Sequence, residues 1–437
     1  MLARSSACRA APLIAALSIL VAMPARAQTQ LSKPEQRIRD YVQRSKEDQV
    51  AFLAKAVNIN SGTMNLAGVR QVGQLFRAAL DSLGFETRWV AMPDSMHRAG
   101  HLFAEHKGKP GGKRILLIGH LDTVFEGEGE PFVRADSMGR GAGSGDMKGG
   151  DVIILYALKA LQSVGALKDA NIIVAFTGDE EAAGSPLELA RRDLIEAAKR
   201  SDIALAFEGG SRGGATIARR GASSWTLTVT ARQAHSSGIF AERVGYGAIF
   251  EAARILDAFR MELSKEQYLT FNPGAIVGGT EVTYDTMRVE GTAAGKTNII
   301  APKAVVQGDL RFLSEEQKER ARERMRAIVA RSLPGTQAEI IFSDEYPAMP
   351  PTKGNAALLA AYDSVSRALG YGPVRAGDPG ARGAGDVSFV APYVDGMDGI
   401  GADGVGSHTP REAVNLNSLP MQTERAAVLL HRLTQRK

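Results

Sequence analysis

The chain reads as an α/β protein: a mainly parallel central sheet flanked by helices, interrupted by a smaller α+β unit. Three observations lead there. Ile115–Ile118, Ile172–Phe176 and Ile203–Phe207 are continuous apolar runs, as expected of strands buried on both faces of a sheet. Helical stretches alternate with them, as parallel crossovers require. From 225 to 343 the pattern changes to period two, in the order β-α-β-β-α-β of a ferredoxin-like unit.

In chain order, residues 35–60 read as one amphipathic helix with Ile38, Val42, Val50, Leu53 and Val57 on its apolar side. A second runs from about 66 to 83 and stops at Gly84, a C-capping residue. Residues 85–91 and 101–106 are strand-like, and 109–113 form a turn. The strand before His120 follows. Residues 139–150 are a glycine-rich loop feeding a helix over 149–164. The strand to Phe176 precedes a helix over 186–199, and the strand to Phe207 closes the first part. In the inserted unit, strands are expected at 225–231, 270–278, 297–312 and 337–343, with helices at 242–262 and 314–332. Helices at 355–369 and 417–435 and a strand ending in 400–408 complete the chain. The expected division is 1–27 as a signal peptide, 28–222 and 345–437 as two parts of a catalytic domain, and 223–344 as the insertion.

The first 27 residues have a basic start at Arg4 and Arg9, an apolar block at 10–22 too short to span a membrane, and Ala25-Arg-Ala27. That is the pattern of a cleavable secretory signal, with cleavage near Ala27-Gln28. A mitochondrial presequence fits less well, because no Arg interrupts the apolar block. A periplasmic or secreted protein without a stable membrane anchor is therefore expected. The segment holds Arg4, Arg9 and Arg26 and no acid, so 50 of the 53 basic residues remain against 48 acidic ones. Near-neutral charge gives no reason to expect nucleic acid. The single cysteine, Cys8, lies in the same segment, so a metal must be held by His, Asp and Glu.

Polar residues gather directly after the buried strands: His120 and Asp122, then Asp179, Glu180 and Glu181, then Glu208. Asp146 sits in the glycine-rich loop and His408 near the end. Open α/β sheets place their sites at these strand ends. His120 and Asp122, two apart on an extended segment, point the same way, which suits an imidazole ligand and the acceptor that fixes its tautomer. Separately, each has a plainer explanation: a polar strand exit, a charged turn at Asp146, acids favoured at a helix N-terminus for Asp179–Glu181. Together they supply enough ligands for two zinc ions sharing one bridging carboxylate. Of two adjacent glutamates, one can bind metal while the other serves as general base. The loop Gly141-x-Gly-x-Gly lacks the dinucleotide-binding spacing and is followed by an acid that would repel a pyrophosphate.

The motifs Gly119-His-Leu-Asp-Thr123, Gly145-Asp-Met-Lys-Gly-Gly150, Thr177-Gly-Asp-Glu-Glu181, Phe207-Glu-Gly-Gly210, Gln233-Ala-His-Ser-Ser237 and Gly406-Ser-His-Thr409 stand in one order along the chain. As a set they resemble the dinuclear zinc metallopeptidases that include carboxypeptidase G, aminoacylase, acetylornithine deacetylase and succinyl-diaminopimelate desuccinylase. The resemblance implies a zinc-peptidase catalytic domain with an inserted ferredoxin-like lid and dimerisation domain. It implies that His120 and Glu208 hold one Zn²⁺, Glu181 and His408 the other, and that Asp146 bridges them, with Co²⁺ or Mn²⁺ as substitutes. Glu180 would be the general base and Asp122 the residue orienting His120. His235 would stabilise the oxyanion, often in the partner subunit's site, and Asn298 and Arg311 would bind the substrate carboxylate. The implied activity is release of a C-terminal amino acid, glutamate among the candidates, from small peptides or N-acyl conjugates. An N-acyl amino acid deacylase of the same mechanism, or a non-catalytic binding paralogue, are the alternatives. Two departures bear on specificity. Residues 211–220 show no match to the basic residue that carboxypeptidase G uses on the glutamate side chain, and Arg382-Gly-Ala-Gly-Asp386 replaces the usual Gly-Gly-Gly-Thr-Asp.

Overall fold

The computed structural model describes residues 30–127 and 131–435; the expected signal segment, with its cleavage site near Ala27-Gln28, lies outside them. Six strands form the larger sheet. In spatial order they are Glu86–Val90, His101–His106, Asn171–Thr177, Arg114–His120, Ile203–Ala206 and Gly396–Met397. The last four pair parallel; the first two run antiparallel to their neighbours. The sheet is thus mostly parallel, with an antiparallel edge.

Alternation along the central strands feeds two cores. Ile115, Leu117, Ile172, Val174 and Phe176 face a layer built from the helices Lys33–Arg44, Lys46–Val57, Leu66–Ser82, Lys148–Ser163 and Ser418–Gln435. Leu116, Ile118, Ile173 and Ala175 face the other layer, with Leu194, Ala197 and Ala198 of the helix Leu187–Lys199. Each buried aliphatic side chain contributes roughly 1.5–3 kcal/mol, which explains why these strands read as unbroken apolar runs.

The insertion is a four-stranded antiparallel sheet ordered Thr270–Gly279, Lys303–Phe312, Gly221–Ala231 and Thr336–Asp344. Two helices, Ala248–Leu263 and Glu315–Val329, cover one face, where Trp225, Leu227, Val229, Ile255, Phe259 and Met325 pack together. This is the expected ferredoxin-like order.

Three expectations need correction, and one element is added. The helix at 35–60 is two helices, because Ser45 turns its hydroxyl onto the Val42 carbonyl (3.1 Å) and the acids Glu47 and Asp48 start a new N-terminus. The strand expected from 297 begins at Lys303; residues 296–302 are a turn and loop, closed by the Ile299 N–H on the Lys296 carbonyl. A hairpin of Glu281–Asp285 and Glu290–Ala294 went unseen. The strand expected to end at 400–408 is instead two short segments, Gly396–Met397 and Gly404–Val405.

Candidate dinuclear metal centre

Register brings the strand ends to one level. His120 pairs with Thr177, and Ile118 with Ala206. The residues that follow, Asp122, Asp179–Glu181 and Glu208, therefore emerge along one edge. Asp146 reaches the same place from the glycine-rich loop, just before the helix Lys148–Ser163. That helix sits tightly on the neighbouring strand exit: a Cβ on Gly150 would lie 2.1 Å from the Phe207 carbonyl oxygen. His408 arrives on the loop Gly406–Glu412 with a left-handed backbone, φ 62°.

His120, Asp146 and Glu208 form one group, and Asp146, Glu181 and His408 a second, with all ligand atoms of a group within 4.8 Å. Asp146 belongs to both. His120 Nε2 lies 3.3 Å from Asp146 Oδ1 and 3.5 Å from Glu208 Oε1. His408 Nε2 lies 3.3 Å from Asp146 Oδ2 and 3.2 Å from Glu181 Oε2. Glu180 lines the same cleft, which encloses about 350 Å³.

The donor chemistry fits metal ions. His120 Nδ1 lies 3.0 Å from the Asp122 carbonyl oxygen, which can only accept, so the proton is on Nδ1. Nε2 then presents a lone pair to two carboxylates. It is buried and has no hydrogen-bond partner. A cation placed there satisfies all three groups at once.

The electrostatics agree. Burial pushes Glu180 well above the usual carboxylate range, Glu181 up to about 7 and Glu208 up to about 8, with neighbouring carboxylates adding to the effect. Burial opposes charging of His120, but without a cation the Asp122 and Asp146 carboxylates outweigh it and hold the imidazole well above its ordinary value, so Nε2 takes a proton that a cation would displace. The hydrogen bond to Asp146 holds His408 up at about 9. So many acids in one cleft retain protons until a cation replaces them.

Asp122 does more than was expected of it. Its side chain approaches His120 Nδ1 at 3.4 Å, and it also accepts from the Glu180 and Glu181 amides (3.0 and 3.1 Å) and the Thr63 hydroxyl (2.6 Å). Glu412 was not foreseen at all. Its carboxylate accepts from the amides of Gly143, Gly145 and Asp146 at 3.1, 2.8 and 2.9 Å, fixing the loop that carries the acid shared by both groups. Buried Arg191 ties Asp179 (2.6 Å) to Asp386 (2.7 Å), joining the 177–181 exit to the loop at 382–386.

A second pocket, of about 450 Å³ between the insertion and the catalytic unit, lies beside the cleft and shares Ala381, Arg382 and Gly383 with it. Arg311 lines this pocket, not the metal cleft, and bonds Asp309 at 3.0 Å. Arg220 and Arg382 line it too. Arg219, buried and bonded to Asp398, stands in the metal cleft itself. Arg219 and Arg220 fall in the segment 211–220 and Arg382 in the Arg382–Asp386 turn, both of which departed from the family's pattern in sequence. His235 and Asn298 lie together, linked by the Ser236 amide on the Asn298 carbonyl (2.9 Å), but are exposed and line neither pocket of this chain. His235 Nδ1 accepts from the Ser237 amide at 3.2 Å, which leaves the ring proton on Nε2 of this exposed side chain.

Fold and site together define a metal-dependent peptidase or amidohydrolase with ligands for two ions. The sequence profile of peptidase family M20/M25/M40 matches residues 116–432, and the chain belongs to that family. Carboxypeptidase G2 of Pseudomonas sp. (strain RS-16) is 28% identical over 400 residues, which cover 87% of this chain and 88% of that protein. A succinyl-diaminopimelate desuccinylase of Leptothrix cholodnii is 26% identical over 269 residues, 59% of this chain and 67% of that protein. Among solved structures, the aminopeptidase PepT of Bacillus cereus superposes with a TM-score of 0.71 at 17% identity, covering 89% of this chain and 99% of that one. An M20 family metallo-carboxypeptidase of Sulfolobus solfataricus gives 0.62 at 15%, covering 88% and 99%. At these identities the structures speak to fold alone.

Proposed function

We propose that the protein is an exported, zinc-dependent carboxypeptidase that releases a C-terminal amino acid from small peptides or N-acyl conjugates. The observation that carries this reading is the arginine-lined pocket beside the metal cleft, with Arg382 in the lining of both. A free carboxylate is the group that Arg311 and Arg382 are suited to grip, since guanidinium forks onto carboxylate. The likeness to carboxypeptidase G2 over most of both chains supports the same direction.

Zn²⁺ held by His120 and Glu208, and by Glu181 and His408, with Asp146 between them, would polarise the scissile carbonyl and acidify a water. Glu180 takes the proton from that water as its oxygen joins the carbonyl carbon, and passes it to the amine nitrogen as the C–N bond breaks. Its side chain lines the same cleft as the ligands, the position a general base needs. His235 Nε2–H, from a partner subunit, is the donor we assign to the oxyanion, with Asn298 beside it. This role rests on a homodimer formed through the inserted domain. Phe240, Ile249 and Phe250, exposed on that domain, support such an interface. Export rests on the signal-like first 27 residues.

A second reading, an N-acyl amino acid deacylase, is favoured by the desuccinylase relatives. A panel of N-acyl and dipeptide substrates, offered to the zinc-loaded and then the chelated enzyme, separates the two. The proposal expects chelator-sensitive release of one class of C-terminal residue, tolerant of the acyl group. Arg382→Ala should raise KM for such substrates by about 10- to 100-fold, the size of a lost charge-assisted contact of roughly 1.5–3 kcal/mol. Strict dependence on the acyl group would instead select the deacylase.

A further inference from the structure

The insertion is joined to the catalytic unit by two chain crossings, and these pair with each other. The amides of Arg219 and Met349 each donate to the other residue's carbonyl, at 2.9 and 3.0 Å. One step nearer the inserted sheet, the Ala222 amide donates to the Tyr346 carbonyl at 2.8 Å. The junction is therefore a two-stranded antiparallel ribbon continuing the pairing of Gly221–Ala231 with Thr336–Asp344.

From this ribbon one side chain reaches the reacting residues. The Tyr346 hydroxyl donates to the Glu180 carbonyl at 3.0 Å. Its ring rests on Phe389, centroids 5.0 Å apart. The amide on the other end of that same peptide, the Glu181 N–H, is held by Asp122 at 3.1 Å. The peptide between the general base and the metal ligand is thus clamped at both ends. One clamp comes from the strand exit beside His120, and the other from the paired junction with the inserted domain.

We infer that Tyr346 is a positioning residue that fixes the Glu180–Glu181 peptide from the interdomain junction, so that the aim of the general base depends on junction geometry. A hydrogen bond to a backbone carbonyl sets the rotation of the peptide plane, and with it the direction in which Glu180 leaves the chain. Small errors in such aim cost turnover and leave substrate affinity alone. The inference rests on the hydrolytic reading proposed above.

The test is Tyr346→Phe, which keeps the ring on Phe389 and removes only the hydroxyl. Wild type and variant are compared in the zinc-loaded full chain for kcat, KM, bound zinc and hydrogen exchange across residues 178–183. We expect kcat to fall about tenfold, KM to stay within about twofold, zinc content to be unchanged and exchange at the Glu181 amide to quicken. Unchanged kcat and exchange would overturn the inference. Loss of zinc in step with activity would also overturn it, making Tyr346 a support of the metal site instead. If wild type hydrolyses nothing, the hydrolytic reading fails, and exchange alone decides whether Tyr346 fixes the peptide.

Discussion

Glu412 exposes the Asp146 loop to a test at single-residue level. Three amides converge on its carboxylate, and glutamine would turn an N–H₂ group toward some of them. Glu412→Gln should weaken metal binding by about 10- to 100-fold, as loss of a group that orients ligands usually does, and calorimetric titration of the metal-free protein would read it. Protons give a second test. Glu208 is held up at about 8 and Glu181 at about 7, both mainly by burial, so below those values each carries a proton that a cation must displace. Metal affinity should therefore fall as pH drops from about 8 to about 6, and uptake near neutral pH should release protons. Affinity independent of pH over that range would contradict the cleft electrostatics. Glu412 was illegible in the sequence because it acts through backbone amides some 266 residues away. His120 was legible because it follows an apolar run directly.

At the scale of elements, strands buried on both faces announce themselves. Ile115–Ile118 and Ile172–Phe176 have no polar residue to lose, and their ends carry the chemistry by position. The inserted sheet was equally readable, since Trp225, Leu227 and Val229 alternate with half-buried neighbours. Elements without a buried face were not. The hairpin Glu281–Asp285 with Glu290–Ala294 is largely exposed and held by backbone pairing, so no apolar period marks it. The antiparallel outer strands could not be told from parallel ones, because pairing direction depends on how the chain returns and not on composition. The split at Ser45 hinged on one hydroxyl finding a carbonyl. The arginine pocket is another such case: Arg220, Arg311 and Arg382 come from three distant segments and meet only in the folded chain.

For the whole molecule, the inserted domain presents apolar surface outward. Phe240 packs edge-on with Tyr246 and near Phe250, and both phenylalanines are about half exposed, at 54% and 51%. Ile249 beside them abuts Gly278 of the edge strand. An apolar patch next to an open strand edge is where a second copy would add. If the proposed homodimer forms through this patch, Phe250→Glu should halve the mass seen by light scattering and, by removing the His235 proposed to come from the partner, lower kcat without releasing metal. A variant that stayed dimeric would remove the patch from the interface.

The central claim is that Glu180 moves the proton in a two-metal cleft that the other carboxylates only ligate. The most direct measurement is kcat of Glu180→Gln at verified metal content. The account predicts two ions per chain and a kcat lower by about 10²- to 10⁴-fold, the share of a general base. A variant with two ions and near wild-type turnover would contradict it.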